Sequence, residues 1–452
     1  MDRADFLDRR ARGAMKFVST RGLSSQAPAV SFGAALTQGL APDGGLYVPE
    51  AWPAIPLTAF DVANTLPEVA EVLLRPFVAG DALAGEVGAI VRDAFNFPAP
   101  LEAVNADGSL SVLELFHGPT AAFKDFGARF LAACLQRLRS GAARPLNILV
   151  ATSGDTGGAV AAAFHRRPGA VVSVLFPRGL VSPTQERQLT CWGDNVHSFR
   201  VSGSFDDCQR LVKEAFVDAS LRARFELSSA NSINLGRLLP QAMYYAATSL
   251  AVYRTHGVKP NFIIPAGNLG NSVACVWARQ LGLPIGRIVL AHNANRTVPD
   301  FLQSGEWRPR ASVPTLASAM DVGTPSNMER LRALFPQIAS VRAAVRAESV
   351  SDAEIQARIQ ADFRDYGKVW CPHTATAAEV YARMSPAERA DGRWILVSTA
   401  HPAKFREIVE PLIGQRIEMP ESLAKLFSRP VSAVDLEPAL TELTRALEKI
   451  EE

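Results

Sequence analysis

The chain has 452 residues, of which 48% are hydrophobic and 20% are charged, as is typical of a globular protein with two or three domains. Its 47 lysines and arginines almost balance 45 aspartates and glutamates, so bulk charge indicates neither a nucleic-acid nor a membrane partner. No apolar run reaches the roughly 18 residues that a membrane-spanning helix needs.

The N-terminal residues and the cysteines favour a cytoplasmic protein. Residues 1–14 mix aspartates with arginines and lack the apolar core of a secretory signal, which indicates a short exposed extension. The five cysteines are far apart and form no CxxC pair, so they predict neither a disulfide framework nor a zinc site. We therefore expect small buried thiols in a reducing compartment, and no metal centre.

Residues 15–100 differ in composition from the rest of the chain. They are rich in proline and glycine, with a turn cluster at 41–53 ("APDGGLYVPEAWP") and short helical patterns such as 81–95. This composition predicts a separate N-terminal domain.

An unusual lysine follows in residues 117–138, "HGPTAAFKDFGARFLAACLQRL". The apolar spacing predicts a helix that begins near Asp125, which places Lys124 at its N-terminus between two phenylalanines. The helix dipole and the apolar neighbours both disfavour an ammonium, so the pKa of Lys124 should fall, as a Schiff-base lysine requires. Alternatively, Lys124 extends to solvent or pairs with Asp125.

From residue 146 onward, short β-rich apolar runs alternate with helical patterns. The predicted strands share a continuous apolar character and are 146–154, 170–177, 195–203, 287–295 and 393–401, together with the run 261–271 that leads directly into a helical pattern. Such alternation predicts βαβ units and parallel sheets covered on both faces. Because ligands bind beyond the carboxyl ends of such strands, residues 152–157, 266–271 and 398–401 are the places to search.

Those three strand ends have related chemistry. "ATSGDTGGA" (151–159) and "PAGNLGNS" (265–272), which we expect in the same sheet, each lead through glycines into a helix N-terminus that can hold a carboxylate or phosphate. The first is not a Walker P-loop, because no GKS or GKT follows, and it could be a plain capped turn. The second, taken alone, is a glycine-rich loop of low specificity. In "LVSTAHPAKF" (396–405), the hydroxyls of Ser398 and Thr399 can either cap a helix or bind a ligand.

Motifs between residue 16 and about residue 405 resemble those of the threonine synthase family, in its long bacterial and fungal form, and they occur in the same order. They are "KFVSTRG" (16–22), "APDGGLYVPE" (41–50), "HGPTAAFKDFG" (117–127), "ATSGDTG" (151–157), "NSINLGRLLPQ" (231–241), "PAGNLGN" (265–271), "CPHTA" (371–375) and "STAHPAKF" (398–405). Two departures are the 14-residue lead and the leucine in "GNLGN", where a phenylalanine is common.

The resemblance implies an α/β enzyme of fold type II, related to the tryptophan synthase β chain, with pyridoxal 5'-phosphate as cofactor. It implies two intertwined parallel-sheet subdomains at 101–410 and an N-terminal domain at 15–100. The sequence itself indicates a C-terminal helical segment at 411–452, to which no role beyond packing is assigned. The implied reaction converts O-phospho-L-homoserine and water to L-threonine and phosphate by γ-elimination and β-replacement.

The resemblance also implies roles for particular residues. Lys124 would carry the cofactor as a Schiff base and then move protons, Thr399 would contact the pyridine nitrogen, and Asp155 would lie near the ring hydroxyl, where relatives place an asparagine. The cofactor phosphate would lie in a cradle formed by Gly267, Asn268, Leu269, Gly270 and Asn271.

The substrate would be held by two further groups of residues. Ser153, Gly154 and Thr156 would bind its carboxylate, and Arg237 with Asn234 would bind its phosphate. For Arg237 the alternative is a surface charge on a helix. His117 and His373 either line the site or are structural.

Other functions would use the same loops. A fold type II dehydratase or a phosphohomoserine lyase would release an α-keto acid, and a non-catalytic metabolite-binding protein would form no coloured complex. A Rossmann dehydrogenase is disfavoured because no GxGxxG opens the first βαβ unit. In each case we expect a small-molecule ligand, no nucleic acid or membrane, and a monomer or homodimer.

Overall fold

The computed structural model describes residues 14–22 and 27–451. The expected N-terminal extension therefore lies outside the described residues, apart from residue 14. Within those ranges, no helix combines the length and apolar character needed to cross a membrane.

The strands of the described chain form a two-stranded, a six-stranded and a five-stranded sheet. In chain order they are β1 (Phe17–Ser19), β2 (Tyr47–Pro49), β3 (Leu101–Ala103), β4 (Leu110–Glu114), β5 (Leu146–Ala151), β6 (Ala170–Pro177), β7 (Val196–Val201), β8 (Glu226–Ser229), β9 (Asn261–Pro265), β10 (Ile288–His292), β11 (Arg346–Ser349), β12 (Trp394–Ser398) and β13 (Val434–Leu436).

The order of the six-stranded sheet is β11-β10-β9-β12-β4-β3, and that of the five-stranded sheet is β13-β7-β6-β5-β8. Every pairing in these two sheets is parallel except β3 with β4. Strands β5, β9 and β12 are buried along their whole length, as expected for strands covered by helices on both faces.

Helices surround the sheets. In chain order they are α1 (Phe32–Gln38), α2 (Leu66–Leu74), α3 (Val87–Ala94), α4 (Lys124–Leu138), α5 (Asp155–Phe164), α6 (Pro183–Thr190), α7 (Phe205–Val217), α8 (Ala219–Arg224), α9 (Leu235–Leu238), α10 (Ala242–His256), α11 (Gly270–Gln280), α12 (Thr297–Ser304), α13 (Met328–Leu334), α14 (Ile338–Ala344), α15 (Asp352–Tyr366), α16 (Pro372–Ala382), α17 (Pro386–Ala390), α18 (Arg406–Ile413), α19 (Glu421–Phe427) and α20 (Leu440–Glu451).

The predicted α/β architecture with parallel sheets is confirmed, but the expectation of one shared sheet for the two glycine-rich loops is wrong. The loop at 152–157 follows β5 of the five-stranded sheet, whereas the loop at 266–271 follows β9 of the six-stranded sheet. The chain leaves the six-stranded sheet after β4, builds β5 to β8, and returns with β9. Alternation along the sequence shows that strands are parallel, but it cannot show when the chain changes sheet.

The C-terminal segment contains more than helices. Strand β13 pairs in parallel with β7 and so forms one edge of the five-stranded sheet. The N-terminal part also packs closely on the core, where the rings of Phe32 and Phe130 lie 6.4 Å apart. The predicted domain boundaries near residues 100 and 410 stay predictions.

Candidate active site

A cavity of about 570 Å³ lies where the ends of β5, β9 and β12 meet, between the two large sheets. Eleven residues predicted from the sequence line it: Lys124, Ser153, Asp155, Thr156, Arg237, Gly267, Asn268, Leu269, Gly270, Asn271 and Thr399. The structure does not bring Gly154 or Asn234 to the cavity wall. The three strand ends chosen from the sequence therefore converge, although they come from different sheets.

Lys124 is the first residue of α4, within one residue of the predicted helix start. The preceding loop is joined to the end of β12, because Phe123 N donates to Thr399 O at 2.9 Å. Asp125 does not pair with Lys124. Its carboxylate accepts hydrogen bonds from the N–H and the hydroxyl of Thr120, at 2.8 and 2.7 Å.

The surroundings of Lys124 lower the pKa of its amine, which favours the neutral, nucleophilic form. Burial lowers its pKa to about 8, the charge of Asp155 opposes this shift, and Lys404 and Arg237 add to it. An amine with this pKa has an appreciable, although minor, neutral fraction near physiological pH, whereas an ordinary lysine has almost none.

Lys404, which the sequence reasoning missed, supports the cavity from behind through its contact with Asp155. Its side chain is 0% exposed, and its ammonium forms an ion pair with Asp155 Oδ1 at 2.8 Å and donates to Thr120 O at 2.9 Å. Burial alone raises the pKa of Asp155, but the charges of Lys404 and Lys124 outweigh burial and hold that pKa well below its usual range. The signal was present: like Lys124, Lys404 is a lysine placed next to a phenylalanine in an apolar stretch.

The loop after β5 depends on one glycine and one threonine. Gly154 has φ of 138°, and a Cβ there would lie 2.5 Å from Gln185 Cδ, so this residue shapes the loop. Thr152, also missed from the sequence, accepts hydrogen bonds from the N–H groups of Gly154 and Gly157 at 3.0 and 2.9 Å. The loop is therefore held without the hydroxyls of Ser153 and Thr156, two residues that line the cavity.

The loop after β9 forms a second wall of the cavity. Asn268 is a structural anchor, since its side chain donates to Ser232 Oγ at 2.6 Å and accepts from Ser326 N at 2.5 Å. A Cβ on Gly267 would lie 2.8 Å from Met320 Cα, so only glycine permits this close approach. Leu269 has a positive φ of 62°, a conformation that turns the chain into α11.

Polar atoms without partners lie at the start of α11. Asn271 Oδ1 accepts hydrogen bonds from the hydroxyls of Tyr244 and Tyr245 at 2.6 and 2.8 Å. Its Nδ2, like Ser272 Oγ, is buried and has no hydrogen-bond partner in the described chain. Unpaired donors beside a helix N-terminus match the oxygens of a phosphate group. With the amine of Lys124 in the same cavity, these residues fit a cofactor that carries both an aldehyde and a phosphate.

Arg237 and Asn234 have different environments. Arg237 is only 2% exposed, and its Nη1 donates to Ala230 O, while its Nε has no partner among described residues. Burial lowers its pKa to about 10, against the opposing charge of Asp125, and the group remains cationic. Asn234 instead caps α9 and donates to Leu36 O and Ser229 O at 2.9 and 3.1 Å, which makes it an anchor for the segment that carries Arg237.

Of the two candidate histidines, only His373 lines the cavity. His117 does not line the cavity, and its Nε2 lies 2.8 Å from Glu114 Oε2. His373 lines the cavity, as do two basic residues that the sequence reasoning missed, Lys213 and Arg310. Arg310 pairs with Asp300 at 2.7 Å.

Comparisons with known proteins identify the family of the chain. Family models match "Threonine synthase N terminus" over residues 16–95, "Pyridoxal-phosphate dependent enzyme" over 97–400 and "Threonine synthase, C-terminal" over 374–447. Threonine synthase from Haemophilus influenzae is 39% identical over 93% of this chain and 97% of its own length.

Two solved structures cover almost the whole chain. The crystal structure of threonine synthase from Escherichia coli has a TM-score of 0.87 and 36% identity, and covers 96% of this chain and 100% of that one. The structure of threonine synthase with bound pyridoxal phosphate from Brucella melitensis also has a TM-score of 0.87, with 33% identity, and covers 96% and 99%.

Proposed function

The chain belongs to the threonine synthase family of pyridoxal-phosphate-dependent enzymes. We propose that different residues of its cavity bind the cofactor, bind the substrate and transfer protons. The reaction is the conversion of O-phospho-L-homoserine and water to L-threonine and phosphate, the last step of threonine biosynthesis. The observation that carries this function is one cavity that holds a lysine with a lowered pKa, a cradle for phosphate and a buried arginine. The similar proteins from Haemophilus influenzae, Escherichia coli and Brucella melitensis are all threonine synthases, which supports this reaction over the dehydratase or lyase alternative.

The chain's own donors would hold the cofactor at both ends. Asn271 Nδ2, Ser272 Oγ and the first N–H groups of α11 would bind its phosphate, and Lys124 Nζ would bind its aldehyde carbon. Bound pyridoxal phosphate supplies an electron sink that delocalises negative charge from the carbon next to the amino group. Asp155 would lie near the ring hydroxyl.

Thr399 would meet the pyridine nitrogen. Its side chain is buried in the cavity wall, and a hydroxyl is uncharged there. A neutral partner does not hold a ring nitrogen in its protonated state as a carboxylate would. This environment favours elimination and replacement over transamination.

Lys124 would then act on the substrate as a base. Its neutral amine accepts the proton from the substrate Cα and can return a proton later, because a pKa of about 8 allows both states near neutral pH. The ion pair with Lys404 holds the pKa of Asp155 well below its usual range, which makes this carboxylate too weak a base to compete with Lys124 for that proton.

The substrate would be oriented by its two anionic ends. Ser153 and Thr156, beside the N-terminus of α5, would bind its carboxylate, with Gly154 shaping the loop and not contacting the ligand. The guanidinium of Arg237 would bind the phosphate through its unpaired Nε.

Product analysis tests the function. Purified protein incubated with O-phospho-L-homoserine should release phosphate and L-threonine in equal amounts. Formation of an α-keto acid with ammonia, and no threonine, would instead support the dehydratase or lyase alternatives.

We expect Arg237→Ala to raise KM for O-phospho-L-homoserine by about 10- to 100-fold, as a lost charge-assisted hydrogen bond predicts. The dissociation constant of pyridoxal phosphate should change less than about threefold, because different donors hold the cofactor phosphate. Steady-state kinetics and a cofactor titration measure the two effects.

Arg330 provides the matched control, because it is equally buried but does not line the cavity and donates to Tyr47 O and Ile233 O. Arg330→Ala should lower the melting temperature without a selective rise in KM. Equal losses of substrate and cofactor binding in Arg237→Ala would show that Arg237 is structural.

We also propose a cytoplasmic location, supported by five buried free cysteines and by bacterial relatives. The choice between monomer and homodimer stays a prediction, which size-exclusion chromatography with light scattering decides.

A further inference from the structure

His373 is a buried histidine that the reaction scheme above does not use. It is the second residue of α16, only 3% of its surface is exposed, and it lines the cavity that contains Lys124. Its ring packs against Phe405, with ring centroids 4.8 Å apart. These contacts fix the orientation of the imidazole.

One backbone hydrogen bond fixes the tautomer of this ring. Ala319 N donates to His373 Nε2 at 3.1 Å, so Nε2 carries a lone pair and the proton of the neutral ring must be on Nδ1. His373 Nδ1 is buried and has no hydrogen-bond partner in the described parts of the chain. The ring is therefore a donor whose acceptor the described protein does not supply.

The ring is also uncharged at neutral pH. Burial lowers the pKa of His373 to about 4; the charge of Asp155 opposes this shift, and the charges of Lys124 and Lys404 add to it. Asp155 is itself engaged by Lys404 and by Gln185 Nε2, at 2.8 and 3.2 Å. His373 therefore functions as a fixed neutral donor and not as a general base.

We propose that His373 Nδ1–H donates a hydrogen bond to an anionic oxygen of the bound ligands, either the ring oxygen of the cofactor or the carboxylate of the substrate. This inference rests on the proposed function, because it needs a ligand beside Lys124. A neutral donor in this position stabilises the oxygen's negative charge but has no ionisable charge that changes with pH. It would also satisfy a buried polar group that otherwise costs free energy.

Two substitutions test the contributions of His373 Nδ1 and His373 Nε2 separately. In His373→Asn the amide overlays the Nδ1 position and can keep the donor, while the acceptor for Ala319 is lost. In His373→Gln the amide reaches the Nε2 position and can keep the bond to Ala319, while the donor at Nδ1 is lost. The two variants differ by one methylene and carry the same functional group.

We expect His373→Gln to weaken ligand binding by about tenfold and His373→Asn to weaken it by less than about threefold, a difference typical of one hydrogen bond to a charged oxygen. Without substrate, the dissociation constant of pyridoxal phosphate and the absorption maximum of the holoenzyme report on the ring oxygen. If those two are unchanged and only KM rises, the acceptor is the substrate carboxylate. Melting temperatures of both variants report folding separately.

Three results would overturn the inference: a larger loss in His373→Asn, equal losses in both variants, or no loss in either. The first would show that the important contact is the one to Ala319. Failure of the proposed function gives a different result. The wild-type protein would then form no threonine, whatever the difference in ligand binding between the two variants.

Discussion

Replacing Lys124 by alanine is expected to abolish the visible absorbance of the holoenzyme and to lower kcat by at least about 10³-fold. The absorbance depends on a covalent bond between Lys124 Nζ and the cofactor aldehyde, which alanine cannot form. The loss of rate follows because the same amine is the proposed base for the substrate Cα proton, and positioned bases contribute about 10² to 10⁴-fold. A visible spectrum and single-turnover phosphate release measure the two effects.

Lys213 offers a matched control for the anchor, because it is another lysine that lines the same cavity, in its case from α7. Lys213→Ala should keep the absorbance, and borohydride reduction followed by peptide mass spectrometry should place the cofactor on Lys124. Full colour in Lys124→Ala, or a cofactor found on Lys213 or Lys404, would refute the assignment.

The pH dependence of cofactor binding follows from the same amine. Only the neutral form attacks an aldehyde, so the rate at which apoprotein recaptures pyridoxal phosphate should rise with pH and level off above about 8. An unperturbed lysine, with a pKa of about 10.4, would give a rate still rising at about pH 10.

The sequence predicted the converging loops well because their chemistry is local. Glycines between a buried strand and a helix, as at Gly154 and Gly267, indicate within one short segment that the backbone turns sharply and approaches another group closely. The start of α4 was predicted within one residue because the apolar spacing and Lys124 lie in a single stretch.

Partnerships between distant segments were not predictable in this way. Lys404 meets Asp155 across 249 residues of chain, and Ala319 meets His373 across 54, so no spacing rule connects them. Asn234 shows the opposite error. Its place one turn before Arg237 suggested a shared ligand, but its amide is fully used by Leu36 O, Ser229 O and Gly236 N.

Lys404→Met is expected to lower the free energy of unfolding by about 3–5 kcal/mol, the usual cost of breaking a buried ion pair from one side. The side chains of Lys404 and Asp155 are 0% and 4% exposed, so the remaining carboxylate cannot gain much water. The pKa of Asp155 is depressed in the wild type, so the stabilisation is present above the ordinary carboxyl pKa of 3.8 and is lost as pH falls further. Urea unfolding at neutral pH should therefore show the full difference.

Asp155→Asn combined with Lys404→Met is the control, because it removes both charges together. Gln185 Nε2 can still donate to the amide oxygen of the substituted side chain, and Gln188 Nε2 still donates to Thr120 O at 3.0 Å, so the buried acceptors keep partners. The double variant should recover at least half of the lost stability, since replacing a buried pair by neutral groups is often nearly neutral, and a double-mutant cycle gives the coupling. A cycle with no coupling would mean that Lys404 stabilises the fold through its bond to Thr120 alone, and that Asp155 does not depend on it to remain charged.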